Sequence, residues 1–307
     1  MKGTLAAVCF SLSLAGTAWA QPSDPALVQI LDNATFVGGP SPLSYAAIFG
    51  VGFTEVNAVS GDLPLSNEFE GIRVTFNGVP VSVLAVSPMQ LAVQLPATMT
   101  MSAALGSNGA PRQTTGLSQV RVEAPQGISN PIEVEIREFS PGIWTPTQNG
   151  LGQGWVLFAN TNIVAAPASR DTEFRTTFGL GGSRPAIAGD LLTIYANGLG
   201  AVDPEIRGGH TSCDAVPELG IAQGGPCIGD FSNLGAIRRT RTKPRIFVGG
   251  VEVPEEDVLF SGLAPAFVGL YQVSFRMPPG VAAGDATVIQ IIIGDETSPD
   301  AVTIATG

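Results

Sequence analysis

Apolar and polar residues alternate along several short stretches of this chain. Residues 90–96 (QLAVQLP) carry a large apolar residue at every second position, and residues 272–278 and 132–136 repeat the alternation. Successive side chains of a β-strand point to opposite faces, so each stretch is predicted to be a strand with one buried face. Gly- and Pro-rich turns separate the stretches, and no segment predicts a helix longer than one or two turns. The pattern therefore predicts an all-β protein.

The strand pattern occurs twice, in the same order. The matching pairs are AIFGVGF (47–53) with TIYANGL (193–199), Asn77-Gly78 with Gly249-Gly250, QLAVQLP (90–96) with QVSFRMP (272–278), and VRVEA (120–124) with IQIII (289–293). Both dipeptides favour the positive φ of two-residue hairpin turns. Four matches in one order predict a duplicated unit of about 110 to 120 residues.

Short strands with frequent turns predict two tandem immunoglobulin-like antiparallel β-sandwiches related by internal duplication. We assign residues 21–139 to the first sandwich, 140–185 to a β-containing connector, and 186–307 to the second sandwich. The offset between matched residues rises from 146 to 172 just before the second hairpin. The second sandwich is therefore expected to carry an inserted loop, 201–244, and insertions on a rigid scaffold often carry specificity.

The first 20 residues have the pattern of a cleavable secretory signal peptide. Lys2 precedes an apolar run at 5–15, and Ala18-Trp19-Ala20 precedes Gln21. The run is too short for a transmembrane helix, so cleavage before Gln21 is expected rather than anchoring. The mature protein is predicted to be secreted or associated with the cell surface.

Two cysteines, Cys213 and Cys227, remain once the signal peptide with Cys9 is removed. An even pair in an exported chain favours a disulfide within the inserted loop. Two unrelated buried thiols are the alternative.

The composition restricts the partners. The net charge of −11 argues against nucleic acid as the main partner, because binding phosphates needs a positive surface. Only 13% of residues are charged, while Gly and Pro number 38 and 24, which is typical of an extracellular all-β protein. We expect an extracellular protein or polysaccharide as the partner, and no cofactor.

Two groups of residues are candidates for ligand binding. A basic run opposes the sign of the whole chain and consists of Arg238, Arg239, Arg241, Lys243 and Arg245. It would suit an anionic polysaccharide, lipid headgroups or an acidic partner; the alternative is a solubilising loop that meets acidic sheet faces of its own molecule. Trp144 and Trp155 would suit stacking on sugar rings, although their apolar neighbours in the connector also favour packing between the domains.

Catalytic and metal sites have little support in the sequence. The single histidine, His210, sits among Gly and Ser residues and is predicted to be an exposed loop residue rather than a catalytic base or zinc ligand. Glu255, Glu256 and Asp257 are candidate calcium ligands, but without a D-x-D-x-D-G pattern a solvated turn is favoured. We therefore predict a protein that is not an enzyme.

Several segments match a known family in order over residues 31–304. They are DNATF (32–36), AIFGVGF (47–53), VTFNGVPV (74–81), SPMQLAVQLP (87–96), SPGIW (140–144), GQGW (152–155), LLTIYANGLG (191–200) and VGLYQVSFRMPPG (268–280). In these the chain resembles the secreted C-terminal domain family found in many copies in Solibacter-type acidobacteria, whose halves look like IPT/TIG-type immunoglobulin-like domains. The resemblance implies a tandem immunoglobulin-like fold and an extracellular setting, and it assigns no catalytic residue.

The leading functional hypothesis is a secreted, non-catalytic adhesion or interaction protein of the cell surface or extracellular space. The first alternative is a carbohydrate-binding module or a targeting subunit for extracellular polysaccharide. The second is an unrecognised extracellular hydrolase, which would need two carboxylates held across a cleft.

Overall fold

The computed structural model describes residues 24–97, 116–212, 238–265 and 267–307. The predicted signal peptide, and the predicted Cys213–Cys227 disulfide, lie outside these ranges. The fold is all-β, as predicted. In the described ranges the longest helix is α1 (Asp171–Thr176), which agrees with the prediction of no helix beyond one or two turns.

The first half of the chain forms one antiparallel sheet that bends around its own core. Its strands are β1 (Ala26–Asp32), β2 (Tyr45–Val51), β3 (Ala58–Val59), β4 (Glu68–Phe69), β5 (Ile72–Phe76), β6 (Val79–Val86), β7 (Gln90–Gln94), β8 (Gly116–Ala124), β9 (Gly127–Ile128) and β10 (Ile132–Ile136). The order is β1-β2-β7-β6-β5-β8-β10, with β3, β4 and β9 pairing β6, β5 and β8. The predicted strand at 90–96 is β7, and the one at 132–136 is β10.

The second half forms two sheets. The strands are β11 (Gly142–Ile143), β12 (Gly152–Gln153), β13 (Val156–Phe158), β14 (Ile163–Ala165), β15 (Gly182–Arg184), β16 (Leu191–Asn197), β17 (Val202–Asp203), β18 (Arg239–Thr240), β19 (Arg245–Val248), β20 (Val251–Glu252), β21 (Val258–Leu263), β22 (Tyr271–Arg276), β23 (Gly284–Ile293), β24 (Glu296–Thr297) and β25 (Val302–Thr306). One sheet runs β15-β14-β13-β16-β22-β21-β18-β17, with β11 beside β16. The other runs β12-β25-β23-β19-β20, with β24 beside β23.

The strands of the region expected as a connector, β11 to β15, all belong to the sheets of the second half. β13 and β11 both pair with the same edge of β16. β13 lies opposite residues 192–194 and β11 lies opposite residues 196–197. α1 lies across this edge and buries Phe174 against Val164 and Ala166, with Trp155 and Phe178 packed around them. This region therefore extends the second half instead of standing apart from it.

The matched segments pair in the same register in the two halves. Ile48 lies opposite Leu91, and its match Ile194 lies opposite Val273. The hairpins agree as well, because Asn77-Gly78 and Gly249-Gly250 all have positive φ, as two-residue turns of this kind require.

Each half has its own apolar core. The first core contains Ile48, Phe76, Leu91 and Val120, and the second contains Ile194, Val248, Val273 and Ile289. Alternate residues of these strands face the other way, so the outer faces of β7 and β22 carry Gln90 and Gln272. These outer faces are where the cavities described below lie.

Candidate functional site

A tight turn after β1 is built around Asp32. Its Oδ1 accepts hydrogen bonds from the backbone N–H of Ala34, from the backbone N–H of Thr35 and from the Thr35 hydroxyl, each at 3.0 Å. The turn ends at Phe36, which has a φ of 54°, an unusual value for an aromatic residue. The Phe36 ring lies edge-on to Phe49, with centroids 5.5 Å apart. The turn thus fixes an aromatic ring beside the outer face of the first sheet.

The same aspartate joins the two halves. Asn197, at the end of β16, donates from Nδ2 to Asp32 Oδ2 at 2.5 Å and to the Tyr45 carbonyl at 2.9 Å. Asn197 Oδ1 accepts from the Tyr45 backbone N–H at 3.0 Å, so its amide orientation is fixed by both partners. Burial raises the pKa of Asp32 to about 6, against the opposing effect of its hydrogen bonds.

The second half brings Trp144 to this junction. Ile143 of β11 is in the core, and the next residue, Trp144, donates its backbone N–H to the Tyr195 carbonyl at 3.0 Å. Gly142 lies so close to the Asp32 turn that a Cβ there would be 2.6 Å from Thr35 Cγ2. The indole Nε1 is buried and has no hydrogen-bond partner in the described part of the chain. A buried indole N–H without a partner is uncommon in folded proteins.

A cavity of about 380 Å³ lies where these elements meet. Phe36 and Trp144 supply aromatic walls, and Val59, Leu84, Ala85, Val86 and Ala92 supply apolar surface. The polar lining consists of Asn33, Ser87, Gln90 and Gln148. None of these lining residues ionises at neutral pH, so the cavity suits an uncharged ligand with an apolar face and hydroxyl groups. It contains no nucleophile and base that would support chemistry. We call it the Trp144 pocket.

The structure separates the two predicted tryptophans. The Trp155 ring packs edge-on to Phe174 and Phe178, at centroid distances of 6.1 and 5.3 Å, beneath α1. Its backbone N–H donates to the Trp144 carbonyl at 2.7 Å, but its ring does not line the pocket. Trp155 therefore has the packing role that was its alternative, although within the second half.

The basic run does not form one cationic surface. Arg238 is 1% exposed and donates to the backbone carbonyls of Glu205 and Ser212, so it is not a surface binding residue. The prediction missed this because charge counting cannot detect a carbonyl partner distant in sequence.

Three further cations of the run meet carboxylates or carbonyls of their own molecule. Arg241 pairs with Glu205 at 2.5 Å. Arg245 makes two bonds to Glu252, at 2.6 and 2.9 Å, and Lys243 donates to the Glu255 carbonyl at 2.5 Å. These contacts match the alternative interpretation of the run, in which its cations meet acidic groups of their own molecule.

Arg239 differs from its neighbours. Its guanidinium lies over the Phe260 ring, 4.9 Å from the centroid. Within the described ranges, no carboxylate lies within ion-pair distance of it.

The remaining predicted residues lie apart from the pocket. Glu255–Asp257 forms a 3₁₀ turn whose Asp257 pairs with Arg276 at 3.2 Å, and no group of metal-binding side chains occurs among the residues that the structure covers. His210 is half-buried rather than exposed. Its neighbour Gly209 docks on the first half, since its N–H donates to Gln94 Oε1 at 2.6 Å.

Sequence reasoning missed the residues that hold the pocket together. Asp32 and Phe36 lie in DNATF, which was noted only for the family resemblance, and Asn197 lies in TIYANGL, which was noted for the repeat but not as a site. An aspartate followed three residues later by Thr is a possible turn signal, but its bond to Asn197 spans 165 residues.

No helix in the covered ranges has the length and apolarity needed to cross a membrane. No protein-family model matches the chain, and no curated protein matches it in sequence.

Weak structural similarity is found to several solved structures, including the following three. The surface glycan-binding protein PbSGBP-B from Prevotella bryantii has a TM-score of 0.23 and 10% identity over 91% of this chain and 41% of that one. The gamma-CGTase from alkalophilic Bacillus clarkii has a TM-score of 0.24 and 11% identity, with 88% and 23% covered. The full extracellular region of plexin A4 has a TM-score of 0.24 and 10% identity, with 95% and 16% covered. The chain spans less than half the length of each of these proteins.

Proposed function

We propose that this protein is a secreted, non-catalytic carbohydrate-binding protein that holds a neutral saccharide in the Trp144 pocket. The observation that carries the proposal is the lining of that pocket, with two aromatic rings beside three amide side chains and a hydroxyl. A sugar ring has an apolar face that stacks on aromatic rings and hydroxyls that exchange hydrogen bonds with amides. Adhesion, the wider hypothesis, would follow if the glycan belongs to a cell envelope.

The binding residues have distinct roles in this proposal. Trp144 and Phe36 stack on the sugar, while Asn33, Gln90 and Gln148 bond its hydroxyls. Catalysis is not part of the proposal, because no lining residue is a carboxylate, histidine or cysteine.

The test is calorimetric titration of residues 21–307 with neutral polysaccharides and their oligosaccharides. Trp144→Ala should weaken binding by about tenfold or more, since losing an aromatic contact of about 1.5 kcal/mol changes affinity by that factor. Trp155→Phe is the matched control, because it alters the other tryptophan of the mature chain without touching the pocket. If Trp144→Ala binds every glycan as tightly as the wild type, the proposal is wrong.

We further propose that the halves are duplicated immunoglobulin-like sandwiches, and that the chain belongs to the Solibacter-type family it resembles. The shared pairing register supports duplication. So does a side-chain detail, since the Ser129 hydroxyl accepts from the Val122 N–H at 2.9 Å and the Ser298 hydroxyl accepts from the Ile291 N–H at 2.9 Å. Both pairs lie at matched positions, with an offset of 169 in each case.

A further inference from the structure

A second cleft, of about 440 Å³, lies on the outer face of the β16-β22-β21 sheet. Leu192, Ile194 and Val273 face the core, so Thr193, Tyr195 and the residues flanking Val273 face outwards. The polar lining is Asn160, Thr161, Thr193, Tyr195, Gln272 and Ser274, and the apolar lining includes Leu259 and Phe260. The Thr193 and Ser274 hydroxyls lie 2.9 Å apart and form a polar floor.

This cleft occupies the position in the second half that the Trp144 pocket occupies in the first. Gln90 and Ala92 line the Trp144 pocket, and their matched residues, Gln272 and Ser274, line the second cleft. The two cavities therefore lie over the same face of matched strands. They differ in their walls, because Tyr195 and Phe260 replace Phe36 and Trp144.

A positive charge lies beside the second cleft, next to its lining residue Phe260, whereas no charged residue lines the Trp144 pocket. Arg239 of β18 lies opposite Gly262 of β21, and a Cβ on Gly262 would be 2.8 Å from Phe260 Cζ. The Phe260 ring therefore lies across Gly262, and the Arg239 guanidinium covers that ring 4.9 Å from its centroid. Arg239 is exposed and lies opposite Asp203 of β17, but no salt bridge joins the two within the covered ranges. The guanidinium is therefore not tied to that carboxylate and can pair with a carboxylate or sulfate of a ligand.

We propose that this cleft is a second saccharide site, specific for a saccharide that carries an anionic group. The sugar ring packs against Tyr195 and Phe260, its hydroxyls bond Gln272 and the Thr193–Ser274 floor, and its anionic group pairs with Arg239. The inference rests on the proposed function for its ligand class, but it depends on a different set of residues.

The test compares three soluble polysaccharides by affinity electrophoresis and calorimetry: polygalacturonate, a sulfated galactan and a neutral glucan. Arg239→Gln should weaken binding to an acidic polysaccharide by about tenfold or more and reduce the loss of binding that added salt causes. Arg241→Gln is the matched control, because it removes an equal charge two residues away whose partner is Glu205. Gln272→Ala is a second cleft variant and should weaken the same binding.

The two proposals fail in different ways. Trp144→Ala should leave acidic polysaccharide binding intact, and Arg239→Gln should leave neutral binding intact. Equal effects of Arg239→Gln and Arg241→Gln would overturn the second site, as would an absence of binding to both acidic polysaccharides. Comparing the affinities for polygalacturonate and the sulfated galactan shows whether the site prefers a carboxylate or a sulfate. Far-ultraviolet circular dichroism and the melting temperature of each variant establish that a loss of binding is not a loss of folding.

Discussion

Replacing Asp32 with Asn would test the junction between the two halves. The carboxylate is buried and accepts four hydrogen bonds, three at Oδ1 and one at Oδ2. Asn would keep the Oδ1 bonds but turn an N–H₂ group towards Asn197 Nδ2. Asn197 cannot rotate to accept, because both ends of its amide are bonded to Tyr45. The variant therefore leaves a buried N–H of Asn197 without an acceptor, and an unpaired buried donor costs about 1 to 3 kcal/mol.

The size of this loss should depend on pH. The pKa of Asp32 rises from 3.8 to about 6 on folding, which makes ionisation about 3 kcal/mol more costly in the folded state than in the unfolded state. The folded state therefore binds more protons than the unfolded state between these values. The stabilisation linked to this group is fully present below about pH 4 and is lost as the pH rises through about 6. Asn does not titrate and lacks this dependence.

The measurement is urea unfolding of the wild type and Asp32→Asn at about pH 4.5 and about pH 7.5, followed by tryptophan fluorescence. The free-energy deficit of the variant should be larger at the lower pH, by about 2 kcal/mol. Glu133→Gln, which removes an exposed carboxylate from β10, reports the effect of changed net charge alone. A deficit for Asp32→Asn that is equal at the two pH values would refute the raised pKa and the burial argument behind it.

Four further substitutions test the packing, the duplication and an exposed ion pair. Gly142→Ala should lower the free energy of unfolding by about 2 kcal/mol in urea titrations, because its Cβ would collide with Thr35. Ser129→Ala and Ser298→Ala should each lower it by about 1 to 3 kcal/mol, since each leaves one buried backbone N–H unpaired. Hydrogen exchange should locate the faster amide seven residues before each serine, and an effect in one half only would count against duplication. Arg245→Gln removes an exposed ion pair with Glu252 and a cation–π contact with Phe247, and it should lower the free energy of unfolding by about 1 kcal/mol or less in the same urea titrations.

Much of the strand framework could be predicted from the sequence because it depends on local patterns. Alternation located β7, β10 and β22 to within two residues, since one buried face imposes a period of two on each strand. The Asn77-Gly78 and Gly249-Gly250 turns were predictable because few other dipeptides take positive φ at both positions.

The candidate sites could not be predicted as well, because they depend on partners distant in sequence. Trp144 and Trp155 looked alike, with apolar neighbours in one region. Their environments differ only because α1 packs on Trp155, while the Asp32 turn lies beside Trp144. The basic run looked like five equivalent cations. It resolves into buried Arg238, three residues that meet their own molecule, and Arg239 on an aromatic ring.

The Trp144 pocket depends on contact between the halves. Phe36 comes from the first half and Trp144 from the second, and the Asp32–Asn197 bond joins the elements that carry them. Separating the halves would therefore remove one wall of the pocket. Conversely, a ligand that bridges both walls binds only the docked arrangement, so it stabilises the junction by mass action. Asp32 itself lines no part of the pocket, but its bond to Asn197 holds together the two elements that carry the aromatic walls.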